Sequence, residues 1–133
     1  MTRYLLDTNI ISDLVRNPAG QAMQRLQIIG DENVCTSIIV ASELRYGCAK
    51  KGSAKLQERV EEVLAVIPVL PLEAPADVEY GAIRAELERR GRPIGHNDLL
   101  IAAHACVLGT TLVTANVGEF SRIETLTVEN WLE

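Results

Sequence analysis

Four acidic side chains and one amide stand where this sequence could support chemistry: Asp7, Glu43, Asp98, Glu119 and Asn116. Asp7 directly follows a short apolar run that predicts a strand, and Glu43 lies in an apolar helical segment after a second such run. Asp98 begins a segment that is apolar on every helical face, and Asn116 and Glu119 follow a further strand-like run. Each also has a structural interpretation: a helix cap for Asp7 and Asp98, a solvated face for Glu43, and a polar turn for the other two.

The elements that must position these residues alternate between strands and helices. Apolar runs predict strands at 3–6, 33–36, 69–72, 111–114 and 126–128. Helical apolar spacing predicts helices at 9–16, 19–28, 37–49, 54–66 and 76–90, and another from residue 97 or 98 to 108. This alternation predicts one α/β domain over residues 1–133, with a mostly parallel sheet covered on both faces. Because ligands of such sheets bind beyond the carboxyl ends of the strands, we expect the candidate residues to meet at one edge.

Carboxylates gathered at one sheet edge repel one another unless a cation lies among them. Mg²⁺ and Mn²⁺ favour oxygen ligands of this kind. Such an ion activates water and offsets negative charge while a phosphodiester is displaced. The residues therefore predict a carboxylate-held metal site suited to phosphoryl chemistry. The sequence contains neither a P-loop nor a G-x-G-x-x-G motif, so the chemistries of those motifs have no support.

Composition limits the possible classes of protein. The chain has 133 residues, 47% of them apolar and 23% charged, as expected for one globular domain. An aromatic content of 4% excludes a surface of many base-stacking rings, and a net charge of −5 argues against a nucleic-acid coat protein. Basic clusters at 45–59 and 84–92 still allow local contact with a nucleic acid, although solvated helix faces would look the same.

Compartment and membrane signals favour a cytoplasmic protein. The three cysteines, Cys35, Cys48 and Cys106, are odd in number and show no C-x-x-C spacing, so neither a disulfide framework nor a zinc site fits them. Free cysteines are typical of a reducing compartment. Asp7 would interrupt the apolar core of a signal peptide. Residues 99–118 carry no charge, but Gly109 and several polar residues predict a buried helix and then a buried strand. His104, roughly 240° around that helix from Asp98, is expected to be a core histidine.

Four segments together resemble a known family. They are LLDTNI at 5–10, ASELRYG at 41–47, GRPIGHNDLLIAAHA at 91–105 and LVTANVGEF at 112–120. In this order and spacing they resemble the PIN-domain ribonucleases, and among them the VapC-type toxins of bacterial toxin–antitoxin pairs. The resemblance covers essentially the whole chain.

The resemblance implies a fold and a reaction. The fold is a three-layer α/β/α sandwich around a five-stranded, mostly parallel sheet. The reaction is metal-dependent hydrolysis of RNA by water, with Mg²⁺ or Mn²⁺ as the cofactor. Asp7, Glu43 and Asp98 stand where the family has its catalytic, metal-binding acids.

The resemblance also implies a fourth acid and nearby hydroxyl groups. Many members have aspartate where this chain has Asn116, so Glu119 is expected to supply the missing catalytic charge, with both residues near the metal. Thr8, Ser37 and Thr114 match hydroxyl positions beside the site, where they would bind water or the acidic side chains.

Partners follow from the same resemblance. It implies an antitoxin protein that lies over the site, a dimer of toxins, and a structured RNA substrate whose loss inhibits translation. The RNA is often a tRNA, and in enteric relatives with a similar PIG-x-ND segment it is initiator tRNA. No membrane partner is implied.

Two alternatives remain open at the level of sequence. The first is a phosphatase that uses Asp7 as a covalent nucleophile, although such enzymes carry Asp-x-Asp and this chain has Asn9 at the second position. The second is a regulatory module that binds RNA or protein on the same fold without efficient cleavage. The amide at Asn116 favours the second alternative.

Overall fold

The computed structural model describes residues 3–133, so positions 1 and 2 of the expected domain lie outside the described residues. Five strands are present: β1 (Tyr4–Leu6), β2 (Val34–Ser37), β3 (Val69–Leu70), β4 (Thr111–Val113) and β5 (Val128–Glu129). Seven α-helices accompany them: α1 (Thr8–Arg16), α2 (Gln21–Ile29), α3 (Ile38–Lys51), α4 (Ala54–Val66), α5 (Ala76–Arg89), α6 (His96–Leu108) and α7 (Val117–Phe120). A short 3₁₀ turn, Asp31–Asn33, precedes β2.

The five strands form one parallel sheet in the order β3-β2-β1-β4-β5. In the register, Leu5 lies opposite Cys35 on one side and Leu112 on the other. The chain builds outward from β1 through β2 to β3 and then returns to the other side of β1 for β4 and β5. This reversal places a topological switch point between β1 and β4, where open α/β sheets bind ligands.

The sheet is covered on both faces, as the sequence predicted. Leu5 and Leu6 point to opposite faces of β1, and both side chains are fully buried. Helix α6 lies in the interior, with Ile101, Ala102 and Ala105 fully buried. Each large apolar side chain buried in this way contributes roughly 1.5–3 kcal/mol to folding. The α/β/α sandwich with a five-stranded parallel sheet is therefore confirmed.

The uncharged stretch 99–118 divides as expected into a buried helix and a buried strand. Gly109 ends α6 at φ 68°, a left-handed conformation that glycine adopts without strain, and β4 follows. Across residues 3–133, no helix is long and apolar enough to cross a membrane. Burial raises the pKa of the Cys35 thiol to about 12, so this cysteine behaves as a small apolar residue.

Two expected elements are wrong in detail. The fifth strand was predicted at 126–128 but covers Val128–Glu129. Leu126 lies in a turn, where its amide donates to the Ile123 carbonyl, and its side chain is buried although it is not part of a strand. The polar turn expected around Glu119 is a single helical turn, α7, which is too short to show a helical period. This turn positions one of the candidate acids.

Candidate active site

Asp7 lies at the switch point between β1 and β4. Its backbone amide donates to the Val113 carbonyl at 2.9 Å, which continues the pairing of β1 with β4. Its side chain caps α1, with Oδ1 accepting from the Thr8 amide at 2.8 Å. The hydroxyl of Thr114 donates to Oδ2 at 2.8 Å. The Asp7 carboxylate therefore both caps α1 and belongs to the candidate site.

The Asp7 carboxyl is only 3% exposed. Burial raises its pKa, and the nearby charge of Glu43 raises it further. Hydrogen bonds from Thr114, Thr8 and Asn9 lower it in part, because they stabilise the ionised form. None of these three donors is a cation, so the buried negative charge is not neutralised and would attract one.

Glu43 lies against α1 and α6 rather than on an open helix face. Its Oε1 accepts from the Thr8 hydroxyl at 2.6 Å, and its Oε2 faces the Asn97 amide nitrogen at 3.5 Å. Thr8 thus links the first two candidate acids, since its amide binds Asp7 and its hydroxyl binds Glu43.

Asp98 stands in the first turn of α6 and does not cap it. The helix begins one residue earlier than expected, at His96, with Gly95 as its N-cap. The cap interpretation of Asp98 is therefore wrong, and its carboxyl is available to the site. The pKa of Asp98 is raised to about 7. Burial is the largest cause, and the nearby carboxyl groups of Glu119, Asp7 and Glu43 raise the pKa further. Asp7, Glu43, Asp98 and Glu119 therefore lie close enough together for their charges to interact.

Helix α7 brings Glu119 to this group, whereas Asn116 contributes mainly its backbone. The Glu119 carboxyl lies near enough to Asp98 to raise the Asp98 pKa. The Asn116 amide donates to the Thr114 hydroxyl at 3.0 Å, its carbonyl accepts from the Phe120 amide at 3.2 Å, and the residue is exposed. The acid at 119 therefore reaches Asp98, while the amide at 116 begins the helical turn that carries it.

Ser37 and His104 form a buried pair behind the site. The Ser37 hydroxyl accepts from the Ile39 amide at 3.1 Å, which caps α3, and lies 2.8 Å from His104 Nδ1. Burial lowers the pKa of His104, although the Pro71 backbone partly opposes this. His104 is 2% exposed, which confirms the expected core histidine. The Ser37 hydroxyl therefore joins the start of α3 to His104 on α6 and is directed away from the acids.

Asn9 is a site residue that sequence reasoning treated only as a departure from Asp-x-Asp. Its Oδ1 accepts from the Ala115 amide at 2.9 Å, and its Nδ2 lies 3.4 Å from both Asp7 Oδ2 and Thr114 Oγ1. The amide therefore links the segments that follow β1 and β4. Asn9 is the second residue of α1, three positions after the end of β1, and this closeness to a strand end was the available signal.

The donor chemistry of this site fits a hard divalent cation. The candidate ligands are carboxylate oxygens, and the raised pKa of Asp98 reflects a repulsion that a cation would relieve. Within residues 3–133, no three His, Cys, Asp or Glu side chains are grouped closely enough to hold an ion as they stand. The acids would therefore have to draw together around it.

Comparison with known proteins gives the class of this chain. The family model for the PIN domain matches residues 4–126. The chain is 38% identical over 130 residues to ribonuclease VapC2 of Rickettsia felis, covering 96% of this chain and 97% of that protein. It is 36% identical over 135 residues to the tRNA(fMet)-specific endonuclease VapC of Shigella flexneri, covering 98% and 99%.

Solved structures agree with the sequence comparisons. The chain superposes with a TM-score of 0.89 on a chain of VapBC2 from Rickettsia felis bound to a DNA fragment from their promoter. The two are 36% identical, and the match covers 98% of this chain and 99% of that one. The chain therefore belongs to the PIN-domain family, and within it to the VapC type.

Proposed function

We propose that this chain is a metal-dependent endoribonuclease and the toxin of a toxin–antitoxin pair. It hydrolyses phosphodiester bonds in structured RNA and so inhibits translation. The observation that carries the proposal is the grouping of four acidic side chains at one edge of the sheet. Burial and the nearby carboxyl groups of Glu119, Asp7 and Glu43 raise the pKa of the Asp98 carboxyl to about 7. Sequence identity with VapC ribonucleases over nearly the whole chain supports the same reaction.

In this proposal, Asp7, Glu43 and Asp98 hold Mg²⁺ or Mn²⁺, with Glu119 as the fourth acid and Asn116 beside it. The ion supplies an activated water and positive charge at the phosphodiester. The chain's own residues prepare that site.

The hydroxyl groups orient the acids for this role. Thr8 donates its hydroxyl to Glu43 and Thr114 donates its hydroxyl to Asp7, which fixes the position of both carboxylates. Because Asp7 is only 3% exposed, its carboxylate is largely shielded from bulk water. Ser37 supports the start of α3, the helix that carries Glu43, rather than facing the reaction.

The proposed substrate is a tRNA, and its most specific form is initiator tRNA, as in the name of the Shigella flexneri relative. The proposed partners are an antitoxin of the VapB type and a second copy of the chain. The antitoxin is supported by the Rickettsia felis chain, which was solved within VapBC2. Such a protein would act in the cytoplasm, where tRNA is used.

Cleavage of total tRNA by antitoxin-free protein tests the proposal. We expect discrete fragments with Mg²⁺ or Mn²⁺, none with EDTA, and a loss of at least a hundredfold in rate for Asp98→Asn. Asp77→Asn, at an exposed position of α5, removes the same charge away from the site and should cleave like the wild type. Cleavage that survives EDTA, or that is equal in the two variants, would contradict the proposal.

A binding module without cleavage is the second candidate. The exposed amide at Asn116 and the lack of ready-made ion ligands within residues 3–133 favour it. A folded protein that binds RNA but leaves it intact with either metal would support it. For a phosphatase nucleophile, Asp7 is poorly placed, since both its oxygens accept hydrogen bonds and its carboxyl is buried.

A further inference from the structure

A groove of about 270 Å³ extends from the candidate active site between α1, α3 and α4. Two helical strips with the same spacing form its length: Thr8, Ser12 and Arg16 on α1, and Glu43, Gly47 and Lys51 on α3. At one end, the Thr8 hydroxyl is bonded to Glu43 at 2.6 Å, so the groove opens directly at the acids.

The far end of the groove is positive. Arg16 and Lys51 are exposed in the last turns of α1 and α3, and neither forms an ion pair within residues 3–133. Other arginines of the chain do: Arg45 pairs with Glu61, and Arg84 with Glu88. In a chain of net charge −5, these two cations keep their charge available for an anionic partner.

Two small residues, Ser12 and Gly47, lie midway along the two strips, and apolar side chains line the rest of the groove: Val15, Leu44, Cys48, Leu56 and Val60. Gly47 lies inside α3, where glycine destabilises a helix relative to alanine. A Cβ at this position would meet no atom within 4 Å, so packing of the fold does not require glycine. Its effect is to leave space above the groove floor, beside Ser12.

We propose that this groove binds the RNA strand next to the cleaved phosphodiester, with backbone phosphates on Arg16 and Lys51. Two helical turns separate Glu43 from Lys51, about 12 Å at 1.5 Å per residue. That length spans roughly three nucleotides of a stacked strand, at about 3.4 Å each. The inference rests on the proposed function and adds the path of the substrate and its direction away from the acids.

Charge favours a polyanion in this groove. Glu43 lies at the end of the groove beside the acids, whereas Arg16 and Lys51, which form no ion pair within residues 3–133, lie at the other end. A phosphate chain is therefore attracted to the far end of the groove. This arrangement gives the strand one register. A protein segment or a second copy of the chain is the competing occupant.

Binding without cleavage tests the groove directly. The probe is a fluorescein-labelled 12-nucleotide oligouridine in EDTA, followed by anisotropy over a series of salt concentrations. We expect the Arg16→Ala/Lys51→Ala double variant to bind at least tenfold more weakly. We expect its salt slope to fall by about 1.4, which corresponds to two single-strand phosphate contacts. The matched control is Lys50→Ala/Lys55→Ala, two exposed lysines outside the groove, which should stay within twofold of the wild type.

A second pair of variants tests the open middle of the groove. Gly47→Gln should weaken binding at least fivefold without lowering the melting temperature, because the glycine supports no packing. Gly81→Gln, at an exposed position inside α5 with no atom within 4 Å of its Cβ, should bind like the wild type.

The outcomes separate this inference from the proposed function. If the groove variants bind like their controls while the wild type cleaves tRNA, the RNA path is wrong and the nuclease stands. If the wild type binds oligouridine through the groove but cleaves nothing, the nuclease is wrong and the groove is supported. Unchanged RNA affinity together with lost affinity for a co-purified protein, or with a lost dimer, would assign the groove to that occupant and overturn the inference.

Discussion

Asp98 and Glu119 lie close together at the carboxyl edge of the sheet, although both are acids. Burial is the largest cause of the rise of the Asp98 pKa to about 7, and the nearby Glu119 carboxyl is the next. Asp98 lies in the first turn of α6 and Glu119 lies in α7. Folding therefore brings together two like charges from segments that are separate in sequence, and their repulsion opposes folding. This cost identifies the place where a cation would be most strongly bound.

Removal of the Asp98 charge should stabilise the fold. The folded pKa lies above the unfolded value of 3.8, so the native state binds more protons between the two and loses stability as pH rises from about 4 to about 7. Asp98→Asn should therefore gain about 1–2 kcal/mol at pH 8, a figure that allows for solvent screening of a partly exposed group, and little at pH 4.

Urea denaturation at the two pH values measures this difference, with Asp77→Asn on the exposed surface of α5 as the control. Equal stability of Asp98→Asn and the wild type at pH 8 would show that the acids do not repel one another as described.

Thr114 should be needed both for stability and for the position of Asp7. Its hydroxyl is fully buried and donates to Asp7 Oδ2 at 2.8 Å, while also accepting from the Asn116 amide. Thr114→Val keeps the shape but leaves the buried carboxylate without this donor, which should cost about 1–3 kcal/mol and raise the Asp7 pKa further. Thr114→Ser should restore most of the loss. Chemical denaturation and the cleavage rate measure the two effects, and a Thr114→Val protein with wild-type values in both would contradict this role.

The buried pair of Ser37 and His104 should make the fold sensitive to acid. Burial lowers the pKa of His104, so the unfolded state binds more protons and stability falls as pH drops below the unfolded value of 6.5. Ser37→Ala removes both the α3 cap and the partner of Nδ1, with an expected loss of about 1–3 kcal/mol at pH 7. Ser42→Ala, an exposed serine of the same helix, is the control. If Ser37→Ala and Ser42→Ala unfold at the same denaturant concentration, the pair carries no stability.

The sequence predicted which residues lie at the strand ends better than it predicted the contacts between their side chains. Asp7 could be placed because a carboxylate directly after a buried strand of an α/β fold must lie at the sheet edge. The bond from Thr8 to Glu43, and that from His104 to Ser37, depend on which helices pack together, and local periodicity does not contain that information. Glu119 could be placed near the sheet edge because it follows a strand-like run, but its approach to Asp98 could not be predicted, since a one-turn helix such as α7 leaves no periodic signal.

Asp98 shows the limit of local rules. Acidic and amide residues at a predicted helix start favour capping, yet α6 begins at Gly95 and His96, and the carboxyl turns to the other acids. The acids share a field but, within residues 3–133, no three are already spaced to hold an ion.

Titration of Mn²⁺ into the antitoxin-free protein tests the central claim most directly, because it measures whether the four acids hold a metal ion at all. Calorimetry at pH 7.5 should show saturable binding to the wild type and to Asp77→Asn, with a loss of at least tenfold in affinity for Asp98→Asn. Binding should also raise the melting temperature of the wild type. Absence of saturable Mn²⁺ binding to the wild type, or equal affinity in Asp98→Asn, would contradict the assignment of Asp7, Glu43, Asp98 and Glu119 as the metal site.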